Sequence, residues 1–396
     1  MSVGWIGALS IRDFRNLARV ELEPPEEGLV VVGDNGEGKT NFLEAIQYLQ
    51  ILRSFRGALD RELVRFGQPG FHIMAELTGA PVHRVSVGFE RAGRRKKATL
   101  DSVEPPRLSA ALGAFPAVVF SPQDASLVAG APSIRRRFLD VVLALTSPPY
   151  LAALQRYRAA LARRNAALRA PLRDPLRDAQ PGARRRGSAD ERVAVWEPAL
   201  AEHGAVLWRE RQRWVERNAE AYRELSASMG ERGVSTLRYA VGAPGVTEGG
   251  PGATAIDHLE AALRDALQKK RPLDMRRGLT HSGPHRDEIA LLLDERDLRT
   301  FGSAGQQRTA AMALRLLEAA TLRAHSGREP VVLLDDPFAE LDARRSARIL
   351  ELLDTHRNGQ TILAVPRESD IPEGLTRLER WRISAGTLCA AGRVAP

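Results

Sequence analysis

The chain has 396 residues, 43% of them hydrophobic and 27% charged, and its net charge is +9. These proportions are typical of a globular protein of about two to three domains, and the charge predicts an anionic partner, nucleic acid first. A single cysteine, Cys389, excludes a disulfide framework and a cysteine-based zinc module. With no apolar run near about 18 residues and no secretory pattern at 1–12, we expect a cytoplasmic, nucleoid-associated protein without a membrane partner. The alternative is that the basic pI is a general property of the organism's proteins and does not indicate an anionic partner.

The first third of the chain is predicted to be mostly β-structure. The segment 28–33 is a compact apolar strand ending in glycine, and a helix with one apolar face begins at Lys39. Four basic residues, 94–97, are expected in a turn between strands. Further strands are expected at 6–11, 20–22, 71–76, 82–90 and 117–120.

Past residue 145 the pattern becomes helical. Tyr150, Leu154 and Tyr157 begin a narrow apolar seam, and a second one runs from Trp196 to Leu225. Two arginine-rich helices with narrow seams predict an antiparallel pair that projects as an arm, although two helices of an ordinary bundle would give the same pattern. The intervening 170–190 and the later 242–253 are expected to be loops.

The last third returns to strands and helices. Strands are expected at 289–293 and 330–334, with a helix at 304–325. The fold class predicted is therefore α/β, with a head built from both chain ends and a helical insertion between them. The corresponding domains are 1–143, 144–275 and 276–396.

The segment 33–40, GDNGEGKT, fits the phosphate-loop pattern GxxxxGK[ST] and lies between a predicted strand and a predicted helix. Its glycines let backbone N–H groups turn toward one anion. Lys39 is one of only five lysines among 58 basic residues, which suggests that arginine is unsuitable there. Thr40 offers a hydroxyl to Mg²⁺. The segment predicts an ATP site.

Asp335 and Asp336 end the apolar strand that begins at Val331. Ligands of open α/β sheets bind at such carboxyl ends, so Asp335 is expected to hold Mg²⁺ and Asp336 to orient or deprotonate the attacking water. Taken alone, the two aspartates are explained more simply by a strand that ends in a polar turn.

A second small-residue turn, 301–305, leads into the predicted helix at 304. With Ser303 and two glycines it forms another anion cradle, although a plain N-capped helix would look the same. One nucleotide does not need two cradles. Two chains that sandwich each nucleotide would use both.

The order of phosphate loop, helical insertion, serine turn and acidic strand end resembles the ABC-type ATPase heads of the SMC and Rad50 class. Within that class the chain is similar to the RecF family of bacterial recombination mediators. The matching segments are DFRN (13–16), GDNGEGKTNFLEA (33–45), VFSP (119–122), RRRFLD (135–140), RRN (163–165), GPHRD (283–287), GQQRT (305–309) and LDD (334–336).

The resemblance implies a slow, DNA-dependent ATPase that dimerises on ATP, binds double-stranded or gapped DNA, and helps load recombinase at single-strand gaps, with the RecR and RecO proteins as partners. It places Gln123 near the γ-phosphate as a catalytic residue beside Asp336, and Asp342 in a dimer-contacting loop. The implied ATP and Mg²⁺ ligands are Gly33, Asn35, Gly36, Gly38, Lys39, Thr40 and Asp335, completed in trans by Ser303, Gly305 and Gln306.

Three alternatives stay open. The segment 364–367 lacks the hydroxyl or imidazole that related ATPases place after the last core strand, so a scaffold that no longer hydrolyses ATP is an alternative. A transporter motor subunit shares the nucleotide motifs, but the insertion argues against it. His281, His285 and Asp287 suggest a metal site, yet they lack a fourth ligand, and a structural cluster fits them better.

Overall fold

The computed structural model describes residues 4–170, 189–242, 255–337 and 359–390, together with residues 348 and 351. The helices are α1 (Lys39–Ile51), α2 (Asp60–Leu63), α3 (Ala125–Ala129), α4 (Pro132–Thr146), α5 (Pro148–Arg169), α6 (Ala189–Ala194), α7 (Glu197–Ser228), α8 (Ile256–Arg277), α9 (Leu298–Phe301) and α10 (Ala304–Ser326). The strands are β1 (Trp5–Phe14), β2 (Leu17–Leu22), β3 (Gly28–Val32), β4 (Gly70–Thr78), β5 (Arg84–Glu90), β6 (Arg95–Leu100), β7 (Ala117–Phe120), β8 (Ser235–Ala240), β9 (Glu288–Leu293), β10 (Arg296–Asp297), β11 (Val331–Asp335), β12 (Thr361–Val365), β13 (Glu379–Ser384) and β14 (Thr387–Ala390).

A six-stranded sheet forms the centre of the first compact unit, in the order β14–β13–β3–β12–β11–β7. Its strands from β13 to β7 are parallel. Strands β3 and β7 are buried along their whole length, which explains their continuous apolar sequences. Because these strands are parallel, the loops after β3, β11 and β7 meet at one edge of the sheet.

A five-stranded antiparallel sheet, in the order β2–β1–β4–β5–β6, belongs to the same unit. Alternate residues of β4 and β5 are buried, as expected for a sheet with one face against a core. Helix α1 packs between this sheet and the parallel one. The rings of Phe14, Tyr48 and Phe71 meet edge to face there, with centroids 5.2 to 6.0 Å apart.

The boundaries of the compact units differ from the domain boundaries predicted from the sequence. The first unit comprises 1–128, 225–232 and 302–396, and the second comprises 129–224 and 233–301. Helix α4 and strand β9 belong to the second unit, where Arg135 binds Glu288 through two hydrogen bonds of 2.8 and 2.9 Å. As a division by function, the domains 1–143, 144–275 and 276–396 remain a prediction.

The second unit contains the predicted antiparallel helix pair. Arg164 of α5 bonds Glu197 at the start of α7 at 3.0 Å, and Tyr150 near the start of α5 bonds Arg211, fourteen residues further along α7. This register makes α5 and α7 antiparallel. The unit also holds α4, α8 and a three-stranded sheet, β10–β9–β8, so the strand predicted at 289–293 lies in this sheet and not in that of the head.

The basic cluster predicted as a turn is divided by the structure. Arg94 lies in the turn, with a left-handed φ of 49°, whereas 95–97 begin β6. The loops predicted at 170–190 and 242–253 fall almost entirely outside the described residues. Among the residues that are described, no helix has the length and apolarity needed to cross a membrane.

Candidate nucleotide-binding site

Three loops meet at the carboxyl edge of the parallel sheet and enclose a cavity of about 410 Å³. They follow β3, β7 and β11, which are up to three hundred residues apart in sequence. The cavity is lined by Asn35, Gly36, Gly38, Lys39, Thr40, Asn41, Arg56, Ser121, Pro122, Gln123, Asp335 and Asp336. The phosphate-loop segment, the proposed Mg²⁺ ligands and Gln123 are therefore brought together.

Glycine is required at two points of the phosphate loop. Gly38, the N-cap of α1, has a φ of 117°, and a Cβ there would lie 2.8 Å from the side-chain amide of Asn16. A Cβ on Gly33 would lie 2.4 Å from the carbonyl oxygen of Ile383. Gly33 does not line the cavity, but its carbonyl accepts a hydrogen bond from Lys39.

Lys39 is buried at the floor of the loop, with 7% of its surface exposed. Its Nζ donates to the backbone oxygens of Gly33 and Asp34 at 2.5 and 2.9 Å. Burial lowers the pKa of the Lys39 ammonium, and the carboxylates of Asp335 and Asp336 oppose this shift. A compact cation is thus held between the phosphate loop and the acidic strand end.

Thr40 and Asp335 form an oxygen pair on the cavity wall. The Thr40 hydroxyl lies 3.0 and 2.9 Å from the two carboxylate oxygens of Asp335. Burial raises the pKa of Asp335, and the hydrogen bond from Thr40 opposes this shift. A hydroxyl and a carboxylate are hard oxygen ligands of the kind that Mg²⁺ takes beside substrate phosphates, so the pair fits that ion.

Asp336 has a left-handed backbone, with a φ of 46°, an uncommon conformation for a residue other than glycine. Burial raises its pKa, and the negative charge of Asp370 adds to this effect. Asp370 ends a short 3₁₀-helix that begins at Glu368, just after β12. The turn that follows β12 therefore adds a negative charge that acts on Asp336.

Gln123 lies exposed in a 3₁₀ turn just after β7. The following residue, Asp124, accepts hydrogen bonds of 3.0 and 2.6 Å from Arg315 of α10. Arg315 also donates to Glu318 at 2.7 Å. The Gln123 turn is consequently anchored to the helix that Ser303 begins.

Ser303 caps α10 and forms a reciprocal capping box with Gln306, with hydrogen bonds of 3.3 and 2.8 Å. Neither these two residues nor Gly305 lines the cavity, and Ser303 is exposed. The second cradle is therefore separate from the chain's own nucleotide cavity. Asp342, expected in a dimer-contacting loop, lies outside the described residues.

Comparison with known proteins assigns the family. The DNA replication and repair protein RecF of Roseiflexus castenholzii is 35% identical over 408 residues, covering 98% of this chain and all of the relative. The chain belongs to the RecF family. No model of a protein family matches it.

Solved structures agree with this membership. A RecF–ATP structure, described as a recombination mediator of the RecFOR pathway, has a TM-score of 0.84 and 27% identity, covering 99% of this chain and 98% of that one. An Smc head from Pyrococcus furiosus has a TM-score of 0.54 at 15% identity, covering 98% and 96% of the two chains, and shares the fold alone. The predictions of an ABC-type head and of an ATPase of DNA repair are confirmed.

The sequence of this RecF-family member did not reveal every residue of the site. Arg56 lines the cavity and donates to Asn41 at 3.1 Å. Asn16 supports the loop from behind, where its amide donates to the Glu37 carbonyl at 2.9 Å and accepts from Asn41 at 2.8 Å. Asn16 lies in the matching segment DFRN, which was a usable signal. No local pattern identifies Arg56.

The RecF-family segment GPHRD has a structural explanation in the second unit. His285 bonds the Tyr157 hydroxyl at 2.6 Å and the Thr280 carbonyl at 3.0 Å. Asp287 is fully buried and accepts from Trp208 and Tyr239 at 2.6 and 2.5 Å. These hydrogen bonds give His285 and Asp287 a structural role within the second unit.

Proposed function

We propose that this RecF-family protein is an ATP-dependent DNA-binding protein of recombinational repair and replication restart that helps load recombinase at single-strand gaps. The observation that carries the proposal is the cavity in which the phosphate loop, Gln123 and both acids of β11 converge. Double-stranded or gapped DNA and the RecR and RecO proteins are the proposed partners. The RecFOR pathway named for the similar ATP-bound structure supports these partners.

ATP is the proposed substrate of the cavity. The phosphate loop supplies backbone N–H groups and Lys39, and Thr40 with Asp335 would hold Mg²⁺, which neutralises phosphate charge when bound. Asp336 would orient or deprotonate the attacking water, and Gln123, which lines the same cavity, would lie near the γ-phosphate. The segment 364–367 lacks the hydroxyl or imidazole that related ATPases place after the last core strand, and this lack favours slow hydrolysis.

The position of the second cradle supports dimerisation on ATP. Ser303, Gly305 and Gln306 lie outside the chain's own cavity, and Ser303 is exposed. The serine turn of a second copy would contact ATP only in the dimer, so ATP would stabilise the dimer over the monomer.

Sedimentation of the purified protein with ATP and Mg²⁺, with ADP, and without nucleotide tests this proposal. We expect a dimer only with ATP, more persistent in Asp336→Asn and lost in Ser303→Arg. Ser326→Arg, at the other end of the same helix, is the control. A monomer at saturating ATP in both the wild type and Asp336→Asn would overturn the ATP sandwich.

Phosphate release separates this function from a scaffold without hydrolysis. We expect slow release by the wild type and none by Lys39→Ala, because the alanine variant lacks the buried ammonium. Lys97→Ala, which removes an exposed lysine paired with Glu104, is the control. If none of the three proteins released phosphate, a scaffold that does not hydrolyse ATP would be favoured.

A further inference from the structure

Two turns lie side by side at one end of the five-stranded sheet. One comprises 65–68 and precedes β4, and the other comprises 91–94 and joins β5 to β6. They are adjacent because Gly70 pairs with Glu90 across β4 and β5, and the N–H of Arg91 donates to the Pro69 carbonyl at 2.8 Å. We call this pair of turns, with the adjoining Arg95, the turn surface.

The turn surface presents a phenylalanine to solvent. Phe66 is 99% exposed, more than any other large apolar side chain of the described residues. Full exposure of such a ring forgoes about 2 kcal/mol of burial free energy. The turn that carries it is nevertheless well fixed, since Arg65 binds Asp13 through its N–H at 2.8 Å and its Nε at 2.9 Å.

The adjacent turn and the start of β6 carry three arginines whose charges are not compensated by ion pairs. Arg91, Arg94 and Arg95 are exposed. None of these three arginines lies within ion-pair distance of a described carboxylate. Glu90, exposed just before the turn, offsets part of the charge. By contrast, Arg84 at the opposite end of β5 is paired with Glu76.

We propose that the turn surface binds single-stranded DNA, with a base stacked on the Phe66 ring and the backbone phosphates held by Arg91, Arg94 and Arg95. Exposed aromatic rings beside basic side chains bind unpaired bases irrespective of sequence, because every base has a π-face. A duplex offers phosphates but no free base face for the ring. The proposal deepens the proposed function and depends on it, since it names which part of gapped DNA this surface contacts.

Binding of a fluorescein-labelled dT30 oligonucleotide and of a 30-base-pair duplex, measured by anisotropy with ATP and Mg²⁺, tests the proposal. We expect Phe66→Ala to weaken dT30 binding about 5- to 100-fold and to change duplex binding less than about twofold. Phe66→Trp is expected to keep dT30 affinity and to show indole quenching on binding. Replacing Arg91, Arg94 and Arg95 together by serine should reduce the salt slope for dT30 by about 2.

Val103→Ala and Arg84→Ser are the matched controls, because both residues are exposed at the opposite end of the same sheet. Thermal melting establishes that each variant is folded. Equal dT30 affinity of Phe66→Ala and Val103→Ala would overturn the proposal, as would a wild type that binds the duplex but not dT30. A wild type that binds neither DNA would instead overturn the proposed function, and this inference with it.

Discussion

Lys96 shows at residue level why a chain so rich in arginine keeps a lysine. Its Nζ reaches the Leu52 carbonyl at 2.8 Å and Asp60 at 2.6 Å, and it lies 5.3 Å from the centre of the Tyr48 ring. These partners bind a compact ammonium at the end of α1, and we expect the broader fork of a guanidinium to fit less well there.

We therefore expect Lys96→Arg to lower the free energy of unfolding by about 1–2 kcal/mol, measured by urea denaturation. Lys97→Arg is the control, since Lys97 is 58% exposed and paired with exposed Glu104, and it should change stability by less than about 0.5 kcal/mol. Equal effects of the two substitutions would contradict this account of Lys96.

Asp335 illustrates the cost of burying a carboxylate. Its pKa is raised by burial, so the folded chain holds this proton more tightly than the unfolded chain, and stability falls as pH rises above the usual carboxyl value of 3.8. Without ATP and Mg²⁺, Asp335→Asn should raise Tm at pH 7 by about 1–3 °C, and the gain should shrink toward pH 4.

Thermal melting of the ligand-free protein measures this gain. Asp370→Asn is the control, because Asp370 is an exposed carboxylate near the same site. If the Tm of Asp335→Asn were at or below that of the wild type, the Asp335 charge would not destabilise the ligand-free protein.

At the scale of elements, helix α10 is held to the Gln123 turn by Arg315. The guanidinium lies between Asp124 and Glu318 with little exposure. Burial raises the pKa of Glu318 and the Arg315 charge opposes this shift. Removing the guanidinium leaves two carboxylates without that compensation.

Arg315→Ala should accordingly cost about 3 kcal/mol of unfolding free energy and weaken ATP binding through the displaced Gln123 turn. Arg323→Ala, on the same helix and paired with Glu329 at 3.3 Å, should cost less than about 1 kcal/mol. Urea denaturation and nucleotide titration provide both measurements. Similar costs for the two variants would show that Arg315 contributes no more than a surface ion pair.

The GPHRD segment of the second unit predicts a pH dependence. Burial lowers the pKa of His285 from 6.5 to about 4. Between these values the unfolded chain binds a proton that the folded chain does not, so stability is complete above pH 6.5 and falls as pH decreases toward 4.

His285→Gln should remove this part of the pH dependence, up to about 3 kcal/mol between pH 7 and pH 4.5. Urea denaturation at both pH values measures it, with exposed His83→Gln as the control. An unchanged pH dependence in His285→Gln would show that the ring is protonated in the folded protein.

For the whole molecule, the net charge of +9 makes phosphate contacts the expected source of DNA affinity. If three phosphates are neutralised, the slope of log affinity against log salt is about −2.7, so duplex affinity should fall about 40-fold or more between 50 and 200 mM salt. Anisotropy titrations across this range measure the slope. A slope near zero would show that the positive charge does not contact DNA.

The features that could be predicted from the sequence are contiguous along the chain. The strand and helix around Lys39, the acidic end of β11, the α5–α7 seams and the family all depend on residues that are neighbours along the chain. Spacing and periodicity record such local relations directly.

Which distant residues share a site depends on how the chain packs in three dimensions. Arg56 in the cavity, Arg315 beside Asp124, and β9 in a sheet with β8 all depend on how separate segments pack. The adjacency of the turns 65–68 and 91–94 is another such case, because the β4–β5 register alone brings the two turns together. A strand pairing of this kind is determined by the packing of the whole core. The hydrophobic pattern within either segment does not predict it.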